Sequence, residues 1–300
     1  MVIECNDKDR LKGLVRRLVD FVRPLESCAV AFSGGVDSAV VAPAAQLALG
    51  DRALAITGVS PSLAHGELEI ARRIAAQIGI RHRIIETHET ELDDYRRNDA
   101  RRCFHCKSHL YSEIAKLRTE EGFAAILSGT NKNDLGDHRP GLSAADSLGV
   151  RHPLAECEID KPTVRALARC WNLEVWNKPA TPCLASRVAY GVTVTDERLH
   201  KIDLAEQFLR GLGFDSLRVR FHEGDLARIE VSVEQIARLA AEPARSAIIE
   251  RLRDLGFRFV SLDLMGFRSG GLNALLQIEA ADHEIDVSSK ETLIHAKQSP

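Results

Sequence analysis

The 300-residue sequence lacks any apolar run near the roughly 18 residues that a membrane-spanning helix needs, so it predicts no membrane protein. It also lacks an excess of either charge, because 40 basic and 43 acidic side chains leave a formal net charge of −3. A dedicated nucleic-acid-binding protein usually has a strong basic excess, which counts against nucleic acid as the partner. The first residues, MVIECNDKDR, contain no apolar signal-peptide stretch, and we therefore expect a cytoplasmic protein.

Cysteines are few for the length of the chain. Seven of them among 300 residues are unlike the dense pattern of a secreted disulfide scaffold, and a reducing cytosol disfavours disulfides. We expect them to divide between packing in the core and metal-binding or catalytic roles. Their positions are Cys5, Cys28, Cys103, Cys106, Cys157, Cys170 and Cys183.

The first half of the chain alternates short apolar runs with helical periodicity. Such alternation predicts an α/β fold with a parallel sheet covered on both faces, and ligands bind at the carboxyl ends of its strands. A helix that ends near Pro24 precedes the first strand. The predicted strands are 28–32, 53–58, 81–87 and 124–129, and the predicted helices between them are 38–49, 66–78 and 107–121.

The pattern changes after residue 140. Residues 162–171 have helical periodicity, whereas 178–187 contain two prolines and predict an extended loop. A smaller α+β domain follows, and we expect domains at 1–188 and 189–276 and a polar tail at 277–300. The predicted elements of the small domain are a helix at 196–211, strands at 217–222 and 226–232, two short helices up to about 255 and a last strand within 257–264.

A glycine turn joins the first strand to its helix. Gly34 and Gly35 allow backbone amides to approach an anion closely, and the helix N-terminus behind them favours negative charge. Ser33 and Ser38 add hydroxyl donors, so we expect a phosphate site. The turn is neither a Walker A loop nor GxGxxG. We expect Asp37 to hold Mg²⁺ beside the phosphates and also to act as the helix N-cap.

A second polar loop, residues 128–134, follows a later strand of the same sheet. Because polar residues at a strand's carboxyl end meet a ligand, we expect this loop to contact the nucleotide. The alternative is an ordinary surface loop, since Gly, Asn and Asp are common turn residues. The residues predicted to contact the nucleotide are Gly129, Thr130, Asn131 and Asp134. The loop continues to Asp137, Arg139, Pro140 and Gly141.

Two cysteines stand at CxxC spacing at the start of a helix. Cys103 and Cys106 are close enough in sequence to bind one metal or cluster, and arginines at 96, 97, 101 and 102 would lower thiol pKa values. A zinc half-site, a redox dithiol and coincidence remain open, and no second CxxC completes an ordinary zinc site. Cys183, in the proline-bounded segment TPCLASR, is the third conspicuous thiol.

These motifs resemble a known family. SGGVDS is the signature of the PP-loop ATP pyrophosphatases, which implies ATP cleavage that releases pyrophosphate and leaves an adenylate. In the order SGGVDS, RCFHCK, GTNKNDLGDHRPG, PCLASR, LRVRFH and FRSGGLN, the chain resembles the LarE family over nearly residues 5–276. That resemblance implies a sulfur transferase that converts a carboxylate of a pyridinium dicarboxylate mononucleotide to a thiocarboxylate, for a nickel-pincer nucleotide cofactor.

The resemblance also implies a source of sulfur. Some relatives sacrifice one cysteine, at the position of Cys183, and others hold a 4Fe-4S cluster on three cysteines, matched by Cys103, Cys106 and Cys183. Three ligands leave one iron open for the sulfide. A sacrificial Cys183 and bound zinc are the alternatives, and a fourth ligand from Cys157 or Cys170 would weaken the cluster hypothesis. We interpret Cys28 as a core residue and Cys5 as a surface residue.

Arginines in the second half are candidate substrate ligands. Arg187 follows Cys183 closely, and Arg218 and Arg220 alternate along one strand, so both lie on the same face and can clamp phosphate or carboxylate. A solvated strand face is the alternative. The resemblance also implies that Glu206 lies near the substrate, although a glutamate on a helix is otherwise expected on the surface. It further implies a homo-oligomer and an external sulfide source.

Three other functions compete with this interpretation. A PP-loop tRNA thiolase uses similar cysteines but needs a basic RNA-binding surface. An ammonia-dependent amide synthetase shares SGGxDS and needs no cysteine triad. A non-catalytic nucleotide-binding module would bind ATP without releasing pyrophosphate.

Overall fold

The computed structural model describes residues 5–136 and 140–268, without the side chains of 5–8, 119, 136 and 140–143. Within it the chain forms two compact units. Of the described residues, one unit contains those up to Arg96 together with those from Arg101 to Leu184, and the other contains Arg97–Ala100 together with 185–268. The predicted domain limits 1–188, 189–276 and 277–300 stay a prediction.

The first unit is built on a four-stranded parallel sheet. Its strands are β1 (Cys28–Ala31), β2 (Ala53–Val59), β3 (Arg81–Glu86) and β4 (Ala125–Leu127), in the order β3-β2-β1-β4. Strand β1 lies at the centre and pairs in parallel with both β2 and β4. The helices are α1 (Cys5–Val22), α2 (Val36–Leu49), α3 (Glu67–Ile78), α4 (Asp93–Arg96), α5 (Arg102–Lys116), α6 (Arg118–Glu121), α7 (Pro140–Ser147), α8 (Pro153–Glu156) and α9 (Lys161–Cys170).

Both faces of this sheet are covered, as the apolar run of β1 requires. Cys28 and Val30 point into a core that also contains residues of α1, α2, α3 and α9. Ala29, between them, points into the other core, with Tyr111 and Ile114 of α5. Successive side chains of a strand face opposite sides, so an apolar residue at every position means burial on both faces.

The second unit is a small α+β arrangement. Strands β5 (Leu217–His222) and β6 (Leu226–Val231) pair antiparallel, and β7 (Phe259–Leu262) pairs in parallel with β6. Its helices are α10 (Asp196–Gly211), α11 (Ile236–Ala240) and α12 (Ala244–Asp254). Thr195 caps α10 by accepting a hydrogen bond from the Arg198 amide.

The predicted fold class, a parallel α/β domain with a smaller α+β unit, is confirmed. Two local predictions need correction. Helix α5 begins at Arg102 rather than at 107, so both CxxC cysteines lie inside it. Leu184–Arg187 form a 3-10 turn within the predicted extended loop, because Pro179 and Pro182 restrict only themselves and the residues before them.

Some sequence predictions fall outside the described residues. They are Asp137 and Arg139, the end of FRSGGLN from residue 269 onward and the tail 277–300. Among the helices that the structure does describe, none combines the length and the apolar composition that crossing a bilayer requires.

Candidate active site

The glycine turn lies at the carboxyl end of β1 and leads into α2. Gly35 is the N-cap residue of α2, and no described side chain caps the helix. The Ser38 hydroxyl donates to the Gly35 carbonyl at 3.1 Å and accepts from the Ser33 amide at 3.3 Å, which holds the turn in shape. Gly34 has φ +68°, and a Cβ there would lie 2.8 Å from Ala71 Cα. The turn therefore brings its backbone and a helix N-terminus to one anion-binding corner.

Asp37 lies in the first turn of α2, two residues beyond the N-cap position. The predicted N-cap role is therefore wrong, because Gly35 occupies that position. Its carboxylate accepts a hydrogen bond from Asn131 Nδ2 at 3.1 Å and an ion-pair hydrogen bond from Lys161 Nζ at 2.5 Å. The carboxylate thus stands beside the phosphate corner, where a metal-bridged triphosphate would need it.

The second polar loop meets the first directly. Asn131 is buried, and its backbone amide donates to Asp134 Oδ2 at 3.0 Å. A Cβ on Gly129 would lie 2.7 Å from the Ser38 amide nitrogen, so the loop touches the first turn of α2. The Thr130 hydroxyl accepts from Ser128 at 3.0 Å, and Ser128 also bonds His152 Nδ1 at 2.6 Å. The loop is a packed part of this corner and not an ordinary surface loop.

This close approach predicts the effect of Gly129→Ala. The added methyl group would press against the backbone of α2, so we expect a loss of about 1–3 kcal/mol in unfolding free energy and weaker ATP binding. Gly13→Ala is the matched control, because nothing lies within 4 Å of its Cβ position. Chemical denaturation and ATP titration of both variants provide the measurement. Equal stability of Gly129→Ala and the parent chain would contradict the contact.

The three conspicuous cysteines lie in the same unit. Cys103 is exposed, whereas Cys106 and Cys183 are partly buried. Burial, followed by the nearby Cys183 and Glu89, raises the pKa of the Cys106 thiol to about 12, and Cys103 adds to the shift. The three thiols are therefore close enough to interact electrostatically. Among the described residues, no group of three or more His, Cys, Asp and Glu side chains is arranged to hold a metal ion.

The other cysteines occupy varied surroundings. Cys28 and Cys157 are buried, and burial raises the pKa of the Cys28 thiol to about 12, as expected of a core residue. Cys170 is exposed at the end of α9. The side chain of Cys5 lies outside the description.

In the second unit, the predicted substrate residues form a buried ionic cluster. Arg187 and Glu206 are both fully buried, with Arg187 Nε donating to Glu206 Oε1 at 3.0 Å. Arg210 pairs with the same carboxylate at 2.8 Å. The surface position expected of Glu206 is wrong, because burial of this helix face against β5 brings its carboxylate to the Val219 amide, which donates to it at 3.2 Å.

The two strand arginines of this cluster differ from each other. Arg220 is buried and donates to Glu230 at 2.8 Å and to the Ser186 carbonyl at 2.9 Å. The alternative of a solvent-exposed strand face is therefore wrong for Arg220. Burial, together with Arg187, Arg220 and Arg210 nearby, lowers the pKa of Arg218 to about 10. Its guanidinium lies 5.0 Å from the centre of the Phe267 ring. Arg218 is thus a partly buried cation in a region of surplus positive charge.

Several residues of these sites carried no recognisable signal in the sequence. In the sequence Lys161 only precedes the helical periodicity of 162–171, yet its side chain binds Asp37. Glu89 and Tyr95 lie between motifs and are buried near the cysteines. His152 bonds Ser128 through a contact that joins distant segments. Only their place in the folded chain reveals them.

Three features together define an enzyme of the PP-loop class. They are the parallel α/β sheet, the SGGVDS turn at the end of strand β1 and the carboxylate beside that turn. A family model described as asparagine synthase matches residues 9–105, which span the turn. Pyridinium-3,5-bisthiocarboxylic acid mononucleotide synthase of Lactiplantibacillus plantarum is 37% identical over 260 residues, covering 86% of this chain and 93% of that protein. The chain belongs to the family of that synthase, the LarE family, as the motifs predicted.

Two further relatives extend this similarity. An uncharacterised protein of Synechocystis sp. is 42% identical over 266 residues, covering 89% of this chain and 99% of that protein. An uncharacterised protein of Methanocaldococcus jannaschii is 28% identical over 240 residues, covering 80% of this chain and 90% of that protein.

Proposed function

We propose that this protein is an ATP-dependent sulfur transferase that converts a carboxylate of pyridinium-3,5-biscarboxylic acid mononucleotide to a thiocarboxylate. The observation that carries the proposal is that one unit combines a phosphate-binding turn bearing Asp37 with three thiols in electrostatic reach of one another. Activation needs the first feature and sulfur transfer needs the second. The similarity to the L. plantarum synthase supports this choice of substrate.

ATP binds at the SGGVDS corner in this proposal. The backbone at Gly34 and Gly35 and the hydroxyls of Ser33 and Ser38 would contact its phosphates. The adjoining loop would contact the nucleotide through Gly129, Thr130, Asn131 and Asp134. Asp37 would hold Mg²⁺, which supplies charge neutralisation between the carboxylate and the phosphates. Lys161 pairs with Asp37 at 2.5 Å, and its ammonium group would donate to a phosphate of the bound nucleotide.

The reaction divides into activation and transfer. A substrate carboxylate oxygen attacks the α-phosphorus of ATP, the bond to the β-phosphate oxygen breaks, and pyrophosphate leaves. The resulting acyl adenylate has a carbonyl carbon open to a sulfur nucleophile. Attack by sulfur forms the C–S bond and expels AMP, which takes the electron pair of the broken C–O bond. Lys161 and the helix N-terminus stabilise the negative charge that moves to the departing phosphates.

We also propose a 4Fe-4S cluster as the sulfur carrier, for which Cys103, Cys106 and Cys183 would supply the thiolates; this proposal rests on the chemistry of the three donors and on the family, since their side chains form no metal-holding group in the described structure. Thiolates are the usual ligands of such clusters. The Cys106 thiol, with a pKa of about 12, stays protonated at neutral pH unless a cation stabilises its thiolate, as iron would. When bound, the cluster would supply an open iron for the sulfide to be transferred. Sulfur taken from Cys183 itself is the alternative within the same function.

Arg218 supports binding of an anionic group of the substrate. Burial, followed by the neighbouring Arg187, Arg220 and Arg210, lowers its pKa to about 10, while Glu206 opposes the shift. Glu206 and Glu230 neutralise the other arginines and hold their geometry. A phosphate or carboxylate would supply the missing negative charge.

We predict that Arg218→Met removes this anion-binding site. In the parent protein, millimolar inorganic phosphate should raise the thermal midpoint, since ligand binding stabilises the folded state. Arg218→Met should lose part of that rise, with the remainder coming from the SGGVDS corner, whereas the exposed Arg253→Met control keeps all of it. Differential scanning fluorimetry across a phosphate series gives the result. The same rise in both variants would exclude Arg218 as the anion ligand.

The function is tested by incubating the iron-loaded protein anaerobically with ATP, Mg²⁺, the biscarboxylic mononucleotide and sulfide. We expect pyrophosphate, AMP and a product in which sulfur replaces one carboxylate oxygen, detected by mass spectrometry. ATP turnover without a sulfur-containing product would overturn the proposal. The homo-oligomeric state and the physiological sulfide source stay predictions.

A further inference from the structure

Glu89 is a buried carboxylate that the proposed chemistry has not used. It lies two residues beyond Thr87, whose amide donates to the Val59 carbonyl at 2.9 Å and so extends the pairing of β3 with β2 past the strand ends. Glu89 itself is only 3% exposed. Burial of a carboxylate is costly unless hydrogen-bond donors surround it, so the partners of Glu89 indicate what it does.

Those partners are two serine hydroxyls of the β2 loop, residues 60–63, which follows strand β2. Glu89 Oε1 accepts a hydrogen bond from the Ser60 hydroxyl at 2.5 Å and another from the Ser62 hydroxyl at 2.8 Å. The Leu63 amide closes the loop by donating to the Ser60 carbonyl at 3.0 Å. Hydrogen bonds to an ionised acceptor are roughly twice as strong as neutral ones. One carboxylate oxygen therefore fixes the conformation of both serines.

The β2 loop in turn holds the segment that carries Cys183. The amide of Leu184, the next residue, donates to the Ser62 carbonyl at 2.8 Å. Farther back, the segment is held by Lys178 Nζ, which pairs with Glu67 Oε2 at 2.6 Å while both side chains are largely buried. Cys183 thus lies between two attachments, and the nearer one runs through the β2 loop.

We propose that Glu89 is a positioning residue for sulfur transfer, because it fixes Ser62 and through it the backbone beside Cys183. The inference rests on the proposed function and extends it to a residue outside both the phosphate corner and the three thiols. No bond to Glu89 forms or breaks in the reaction. Displacing a reacting group by about 1 Å can slow a reaction about 100-fold, so a weaker attachment beside Cys183 should slow the step that uses its sulfur.

The first test measures the attachment itself in the full chain and needs neither substrate nor metal. Glu89→Gln removes the charge of the acceptor, and Ser62→Ala removes one donor but keeps the backbone carbonyl that binds Leu184. Both should speed hydrogen exchange of the Leu184 amide about tenfold, as resolved by mass spectrometry of overlapping peptides. Glu91→Gln is the matched control, because Glu91 lies in the same 3-10 turn but is exposed beside His88. Exchange at the parent rate in Ser62→Ala would overturn the proposal, even if Glu89→Gln does not fold.

The second test distinguishes positioning from a loss of stability by comparing the two steps of the reaction. In single-turnover assays, both variants should release pyrophosphate at the parent rate and form thiocarboxylate about tenfold more slowly. An equal fall in both rates, as general destabilisation would cause, would overturn the proposal. So would a parent-like thiocarboxylate rate beside faster exchange at Leu184. If the parent protein forms no thiocarboxylate, the proposed function fails, and the hydrogen-exchange result still decides whether Glu89 holds the Cys183 segment.

Discussion

Cys183→Ala should abolish thiocarboxylate formation while leaving pyrophosphate release in the first turnover. In both versions of the sulfur step the Cys183 sulfur is needed, either as a cluster ligand or as the donor. Removing a group at the reacting centre commonly costs about 1,000-fold or more. In the proposed mechanism adenylation takes place at the SGGVDS corner and uses Asp37 and Lys161, which this substitution leaves intact. Single-turnover assays of pyrophosphate and of the sulfur product measure the two steps separately.

Cys170→Ala is the matched control for this experiment, because Cys170 is exposed at the end of α9 and has no assigned chemistry. It should retain both steps. Product formation by Cys183→Ala at the parent rate would remove Cys183 from the mechanism. In the parent protein, the mass of the peptide with Cys183 after turnover separates the sulfur sources. Dehydroalanine at 183 after one turnover means sacrifice, and an intact cysteine after many turnovers means a carrier site.

Lys161→Met should lower the rate of pyrophosphate release by about 10²–10³, the cost of losing one aligned donor to developing negative charge. The present contact of Lys161 Nζ with Asp37, at 2.5 Å, places the ammonium group at the phosphate corner. Methionine preserves much of the aliphatic volume and removes the charge. Stopped-flow pyrophosphate assays at saturating substrate give the measurement.

Lys132→Met provides the comparison. Lys132 belongs to the polar loop 128–134 beside this corner, but it pairs with exposed Glu158 instead of Asp37. Its variant should release pyrophosphate at the parent rate. A parent-like rate for Lys161→Met as well would show that the lysine only neutralises Asp37 in the absence of nucleotide. A loss of stability without a loss of rate would lead to the same conclusion.

Local sequence patterns predicted the parallel sheet and the phosphate turn because both depend on neighbouring residues. The run CAVAF is apolar at every position, which only a strand covered on both faces explains. The two glycines after it form the turn that brings amides to an anion. The start of α5 was misplaced because the charged residues Arg102 and Lys107 interrupt the apolar periodicity, although they are compatible with a helix.

Residues that act through distant partners could not be predicted in the same way. Glu206 follows the pattern of a surface glutamate, yet it is buried by Arg187, 19 positions away, and by the Val219 amide. Burial of a carboxylate is tolerated only when such partners surround it, and chain order does not reveal them. The same applies to Asn131 and Lys161, which meet at Asp37 from two other segments.

The sequence by itself determined the class of fold, the family and the identity of the three conspicuous cysteines, because each of these rests on contiguous motifs. The tertiary structure decided which groups face one another. It replaced the N-cap role of Asp37 with a contact to Lys161 and converted the arginines of the second unit into a buried ionic cluster. The physical reason is that hydrogen bonds and charge interactions act over a few ångströms in space, whatever the separation along the chain.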